Sequence, residues 1–179
     1  MFMRVVCILL AMLFALPALA QQVRDPATPL IPVTTFEQSK LLGDWFEVAR
    51  TPTLLGRDCH GNTVRIEERD DSRLTLRINC HVGRLDGPIL AIEGIVVEIS
   101  PGVFLARINR LPQIGNLPLV VLWEAEDARL LAIGAPRGEI GFLWSRQPNP
   151  DAAALDAARQ ALVAQGYREG AIAAVPHAP

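Results

Sequence analysis

From residue 43 the chain alternates. Gly43-Asp44-Trp45-Phe46-Glu47-Val48-Ala49-Arg50 puts Trp45, Glu47 and Ala49 on one face of an extended segment and Phe46 and Val48 on the other. Apolar bulk on both faces describes a strand packed on both sides. Gly43, two positions before Trp45, lets other backbone come close to the indole. Residues 62–68 and 74–80 then form a hairpin about the turn Arg69-Asp70-Asp71-Ser72-Arg73. Leu74, Leu76, Ile78 and Cys80 share one face, with Thr75, Arg77 and Asn79 opposite, the pattern of a half-buried strand. A longer strand over 89–99 aligns Ile92, Gly94 and Val96, and after Pro101-Gly102 the chain returns over 103–109 with Phe104, Ala106 and Ile108 in line. A loop at 111–117, a strand at 119–124, a turn at 125–128, a strand at 130–133, a turn at 134–138 and a strand at 140–146 follow. Eight short strands joined by hairpin turns predict an up-and-down barrel or a sandwich. Closure is the preferred answer, because an open sheet would leave two unpaired edges.

The period changes after Gln147-Pro148-Asn149-Pro150. An Ala-rich segment predicts a helix over 151–165, with Asp151 at its N-terminus and Gly166 ending it. Leu155, Ala158, Leu162 and Val163 form a narrow apolar stripe, so the helix should lie against the outside of the barrel. The fold expected is therefore all-β, an eight-stranded antiparallel up-and-down barrel with one C-terminal helix packed outside, over residues 35–175. Residues 21–34, with Pro26, Pro29 and Pro32, read as an extended leader wrapped over the domain, 35–38 as a short helical turn, and 176–179 as a tail. The segment 53–61, with Leu54 and Leu55, reads as a surface loop.

The first twenty residues stand apart from this pattern. Arg4, the apolar run 5–16, Pro17 and the small residues Ala18-Leu19-Ala20 predict a secretory signal peptide cut before Gln21. The run is shorter than the roughly 20 residues of a membrane span, and no lipoprotein cysteine stands at Gln21. A periplasmic or secreted protein is the expectation. Loss of Arg4 moves the formal net charge from −2 to −3, and no basic run points to nucleic acid. Cys7 leaves with the signal peptide, so Cys59 and Cys80 remain, an even pair in an oxidising compartment and hence an expected disulfide. The hairpin brings them to the same end, and closing that loop of about twenty residues is worth roughly 3 kcal/mol. Two other readings of these residues stand beside it. Cys59-His60 and Cys80-His81 could supply a tetrahedral zinc site, although alternation sends neighbours to opposite faces. A free Cys80 facing the interior could be a nucleophile.

Gly43-x-Trp45 followed by Phe46-Glu47-Val48-Ala49-Arg50, together with Phe142-Leu143-Trp144-Ser145-Arg146-Gln147-Pro148 near the end, resembles the lipocalin family, in particular its bacterial and apolipoprotein D-like members. The resemblance covers nearly all of residues 36–172. It implies that Arg146 crosses the closed base of the barrel and lies over Trp45, with Gly43 as the third structural position. It would also make the segment 53–61 a loop partly covering the barrel mouth. The family's middle threonine-aspartate-tyrosine turn is absent, Trp123-Glu124-Ala125-Glu126-Asp127 standing there, so receptor binding does not carry over. The resemblance further implies binding of a small hydrophobic molecule, a fatty acid, lysophospholipid or similar, for transport, storage or membrane-lipid maintenance, with transient contact with membrane lipids. Residues expected to line the cup are Leu76, Ile78, Ile92, Val96, Phe104, Ala106, Ile108, Leu119 and Val121. Gly94 and Ala106 leave room there, and Phe104 and Trp123 fill it. No catalytic residue, metal or cofactor is expected. The alternatives are a thiol-dependent enzyme acting through Cys80, and a barrel filled by its own side chains with a structural or partner-binding role.

Overall fold

A computed structural model describes residues 23–53, 56–109, 116–138 and 140–178. The signal-peptide reading of 1–20, the leucines Leu54 and Leu55, and most of the loop after residue 109 lie outside those residues. Eight strands follow a 3-10 turn at Gln38–Leu41: β1 Gly43–Arg50, β2 Cys59–Glu68, β3 Leu74–Val82, β4 Ile89–Ser100, β5 Val103–Ile108, β6 Asn116–Glu124, β7 Leu130–Gly134 and β8 Gly141–Ser145. The helix α1 spans Ala152–Ala164, and a two-residue strand β9, Ala173–Ala174, ends the series. Each strand pairs antiparallel with the next, and β1 pairs with both β8 and β2, so the sheet closes on itself. Closure and strand count agree with the alternation. β6 begins earlier than the sequence indicates, taking in Pro118, whose missing N–H is tolerated near a strand's start.

Four register shifts interrupt the described strands, one of them near the end of β4 between Glu98 and Ser100, and the other three bear on the interior. In β1 the register against β8 shifts between Glu47 and Ala49. Ala49 therefore joins Val48 in the outer cluster, correcting the face expected from alternation, and Arg50 replaces it on the inside. A second shift in β2, between His60 and Thr63, surrounds Gly61, whose φ is +58°. A third lies between Val121 and Trp123 in β6. It turns Trp123 outward, where it packs half-buried against the outer cluster; Trp123 does not fill the cup.

Two apolar clusters result. Inside the barrel Trp45, Ile66, Leu74, Val96, Phe104 and Leu131 interlock, with Phe36 and Leu41 from the segment before β1 closing the base. Outside, α1 buries Ala158 and Leu162 on Val120, Leu130, Ala132 and Leu143 of the wall. Asp151 caps α1 as expected, its Oδ1 accepting from the Ala153 and Ala154 amides at 2.9 and 3.2 Å. Tyr167, just past the helix, seats against Gly134 and Gly141, a facing pair on β7 and β8. A Cβ at Gly134 would come within 2.6 Å of Tyr167 Oη. The described part of the leader is pinned by a buried arginine: Arg24 donates to the carbonyls of Gln165 at 2.8 Å and Pro136 at 3.3 Å, and to that of Thr28.

The C-terminal residues are held along the barrel. β1 pairs with β2 only over Gly43–Phe46, and the rest of that edge is taken by the chain's end. β9 pairs with Ala49 and Arg50, the Val175 amide donates to the Val48 carbonyl at 3.0 Å, and the Gly61 amide donates to the Pro176 carbonyl at 2.9 Å. His177 Nε2 lies 3.0 Å from the Glu47 carbonyl, and its ring meets Phe46 edge-on at 5.5 Å. Residues 176–178, a tail by sequence, thus cover the seam that the two bulges open between β1 and β2.

Candidate functional site

The base is built around Trp45. Its indole N–H donates to the Leu41 carbonyl at 2.7 Å, and the Arg146 guanidinium lies 3.5 Å from the ring centroid. Arg146 also donates to the carbonyls of Asp44, Lys40 and Leu42 at 2.8, 2.8 and 2.9 Å. Gly43, with φ +91°, turns the chain beneath that guanidinium, 3.4 Å from where its Cβ would stand. The three structural positions expected from the sequence therefore meet at the closed end. Partial burial lowers the Arg146 pKa, with Asp44 opposing.

Above this floor the lower interior is solid. A void of only about 10 Å³ remains, lined by Leu41, Ile66, Val96, Phe104, Leu119, Val121, Ile133 and Trp144. That is about the space of a single water, and its wall is wholly apolar. Four of the expected cup residues, Val96, Phe104, Leu119 and Val121, thus stand round this base void. Leu76 and Ala106 are likewise buried in the inner cluster. Ile78 and Ile108 are only partly buried, as is Ile92, paired opposite Ile78. Leu117 and Phe142 share that half-buried state. These five sit toward the mouth, where inward apolar surface still meets solvent.

Between floor and mouth lies a polar row that the sequence reading did not single out. Glu47, buried to 2 % exposure, accepts from Arg50 Nη1 at 3.0 Å and from Asn62 Nδ2 at 2.8 Å. Arg50 also donates to the carbonyls of Gly56 and, at 3.0 Å, Cys59. Trp144 stands opposite Glu47 across β1 and β8, its N–H approaching the same carboxylate. Burial raises the Glu47 pKa, outweighing Arg50 and the hydrogen bonds from Asn62, Arg50 and Trp144. Alternation did place Glu47 on the face of Trp45, which was the available signal. Asn62 shares its face with Val64 and Ile66 by the same alternation, whereas Arg50 reaches the inside only through the β1 bulge.

Cys59 and Cys80 form a disulfide across β2 and β3 at the mouth, Cα to Cα 5.2 Å. Bonded sulfur is neither a thiolate ligand nor a nucleophile, which disarms the chemistry weighed for Cys80. Among the described residues no group of three or more His, Cys, Asp or Glu side chains could hold a metal. A groove of about 400 Å³ lies on the outer face of β2–β4, but its guanidiniums are already paired, Arg65 with Glu67 and Arg77 with Glu93.

Several solved structures share this architecture. Lobster apocrustacyanin A1 superposes with a TM-score of 0.63 at 13% identity, covering 80% of this chain and 81% of that one. Insecticyanin from the tobacco hornworm Manduca sexta gives 0.63 at 16% identity over 84% and 85%. The siderocalin Ex-FABP, described as functioning through dual ligand specificities, gives 0.58 at 16% identity over 78% and 96%. At such identities the likeness is one of fold. No curated protein matches the sequence. The family described as Lipocalin-like domain matches residues 36–177. With most of its length matched, and with Trp45 and Arg146 meeting at the base of a closed eight-stranded barrel, the chain belongs to the lipocalins.

Proposed function

We propose that this lipocalin is a carrier, exported to the periplasm or beyond, that takes a small hydrophobic molecule into the mouth half of its barrel and does no chemistry on it. One observation carries the reading: Ile78, Ile92, Ile108, Leu117 and Phe142 face inward yet remain half-buried. Covering that surface with a fatty acid, lysophospholipid or similar molecule gains roughly 25 cal/mol per Å² of apolar area. The Cys59–Cys80 bridge suits the oxidising compartment that the signal-peptide reading implies. Membrane lipid is the source this reading favours, because the β3–β4 turn at the mouth exposes Val82, Leu85, Ile89 and Leu90, Ile89 by 66 %.

The reading is tested by titrating the purified protein with a fluorescent fatty acid and following Trp quenching, beside native mass spectrometry of the protein from its own envelope. Saturable binding at one site, or a lipid retained in the native spectrum, is the expected result. The second reading, a barrel filled by its own side chains, draws on the solid lower half. Absence of saturable binding across several lipid classes would establish it instead.

A further inference from the structure

β4 has 12 residues and its neighbour β5 only 6. Their pairing begins at Gly94 opposite Ile108, and the Asn109 amide adds a bond to the Glu93 carbonyl at 2.7 Å. Residues 89–92 pair with β3 alone among the described residues. Those residues make roughly 13 Å of strand, so the β3–β4 hairpin stands out from the rim on that side as an arm. The end of the arm is apolar on both faces. Val82 and Leu90 continue the inward face of Cys80, Ile89 lies outward opposite His81, and Leu85 occupies the turn. Each of these apolar residues is at least 39 % exposed. A hairpin bathed in water keeps one face polar, and a flat protein partner would cover one face alone. Apolar groups on both faces and at the tip suit a medium that surrounds the arm, as the interfacial and acyl layers of a bilayer do.

The arm is also held in one shape. The Cys59–Cys80 disulfide ties its root to β2, the Val82 amide donates to the Pro88 carbonyl at 2.9 Å, and the Gly83 amide to the Asp58 carbonyl at 2.7 Å. A Cβ at Gly87 would collide with the Val82 carbonyl, so the turn is drawn tight. Inserting it therefore orders little new chain. Charge points the same way. At the mouth Arg57, Arg84 and Arg137 stand against Asp58 and Asp86, and Arg57 and Arg137 have no ion pair among the described residues. At the base the exposed carboxylates of Glu68, Asp70, Glu126 and Asp127 likewise have none. An anionic surface thus attracts the mouth and repels the base, in a chain whose net charge is −2.

We propose that the β3–β4 arm is a membrane-docking element: Val82, Leu85, Ile89 and Leu90 enter the surface of an anionic phospholipid bilayer and hold the barrel mouth-down on it. This rests on the carrier reading above for its purpose and deepens it by fixing the face that meets the lipid. The test is co-sedimentation of the purified, disulfide-bonded chain, without added ligand, with vesicles of phosphatidylcholine containing phosphatidylglycerol and of phosphatidylcholine alone. Leu85→Ser with Ile89→Ser is compared with Val97→Ser with Ile99→Ser, a pair of matching exposure toward the base end of β4, after circular dichroism has checked each fold. Wild type should bind the anionic vesicles about fivefold more tightly than the neutral ones. The arm pair should weaken that binding by about tenfold or more, while the base-end pair stays within about twofold of wild type. Should the arm pair fail to fold, Ile89→Ser alone decides the matter. Equal losses in the two pairs, or no vesicle binding beside saturable uptake of a fluorescent fatty acid, overturns the docking element and leaves the carrier standing. Vesicle binding lost with the arm pair, without such uptake in wild type, keeps the docking element and removes the carrier. A wild type that ignores vesicles but is dimeric by sedimentation equilibrium, and monomeric in the arm pair, assigns the arm to a second copy and overturns the proposal.

Discussion

Arg146 lies 3.5 Å from the Trp45 ring centroid, so a residue near the end of the last barrel strand closes the floor begun by the first. The same guanidinium donates to three carbonyls of the segment that enters β1, those of Lys40, Leu42 and Asp44. A cation over an indole contributes about 0.5–2 kcal/mol, and each hydrogen bond to a charged group about 1.5–3 at best, less where solvent reaches it. Arg146→Leu should therefore lower the unfolding free energy by about 2–4 kcal/mol in urea. Arg146→Lys keeps the charge but not the planar fork, and should recover less than half of that loss. A lysine variant as stable as wild type would show that charge alone holds the floor.

That floor was legible through the lipocalin resemblance, because Gly43-x-Trp45 at the start and the run ending in Arg146-Gln147-Pro148 both match the family's motifs. The inner faces of β3, β4 and β5 followed from alternation, because these strands pair in steady register from Leu74 opposite Val96 to Val96 opposite Ala106. What alternation did not show lies beyond a bulge. One extra residue reverses every later face of a strand and carries no fixed residue signature. Hence Ala49 and Arg50 exchanged sides, and Trp123 left the interior for the helix-covered wall. Burial depth was likewise invisible, since it depends on how far each strand climbs the closed barrel.

Glu47 and Arg50 form a buried pair, and removing one partner strands the other. Glu47→Leu should destabilise the fold by about 3–5 kcal/mol, whereas Glu47→Leu with Arg50→Leu should recover most of that, because a buried pair contributes little over an apolar substitute. Chemical unfolding of both variants measures the difference. The pH dependence has a definite sign. Burial raises the Glu47 pKa above its ordinary value of 4.5, so the folded chain keeps a proton that the unfolded chain has released. The associated stability is complete below about that value and is lost as pH rises through the folded-state pKa. Glu47→Gln cannot titrate, and its stability curve should lack this decline above pH 4.5. A decline unchanged in the glutamine variant would assign it to another group.

Tyr167 tests how closely α1 must approach the wall. Its hydroxyl accepts from the Ala135 amide at 3.0 Å and donates to the Ile140 carbonyl. Tyr167→Phe removes both bonds of the hydroxyl, leaves the Ala135 amide only its 3.2 Å bond to the Ile140 carbonyl, and should cost about 1 kcal/mol. Gly134→Ala drives a methyl against the hydroxyl and should cost about 1–3 kcal/mol by overpacking. The two changes meet at one contact, so they should not add. In Gly134→Ala with Tyr167→Phe, part of the clash disappears, and a double-mutant cycle by thermal unfolding should show coupling above about 0.5 kcal/mol.

The C-terminal segment should matter locally more than globally. Ending the chain at Ile172 removes the β9 pairing, the Val175 amide bond to the Val48 carbonyl and the Gly61 amide bond to Pro176, and uncovers the site that buries Val175. Three or so net hydrogen bonds at about 1 kcal/mol each and one valine at about 1.5–3 favour docking. Ordering several residues opposes it at about 1–2 kcal/mol apiece, so the two sides nearly cancel. The truncated chain should thus unfold within about 2 kcal/mol of the full one. The Gly61 amide, which the tail alone satisfies at the β2 bulge, should lose its protection from hydrogen exchange, while amides in the β3–β4 ladder keep theirs. Val175→Asp should give the same local loss without shortening the chain, because a carboxylate cannot take the buried valine site. Unchanged protection at Gly61 in both variants would mean that the seam between β1 and β2 closes without the tail.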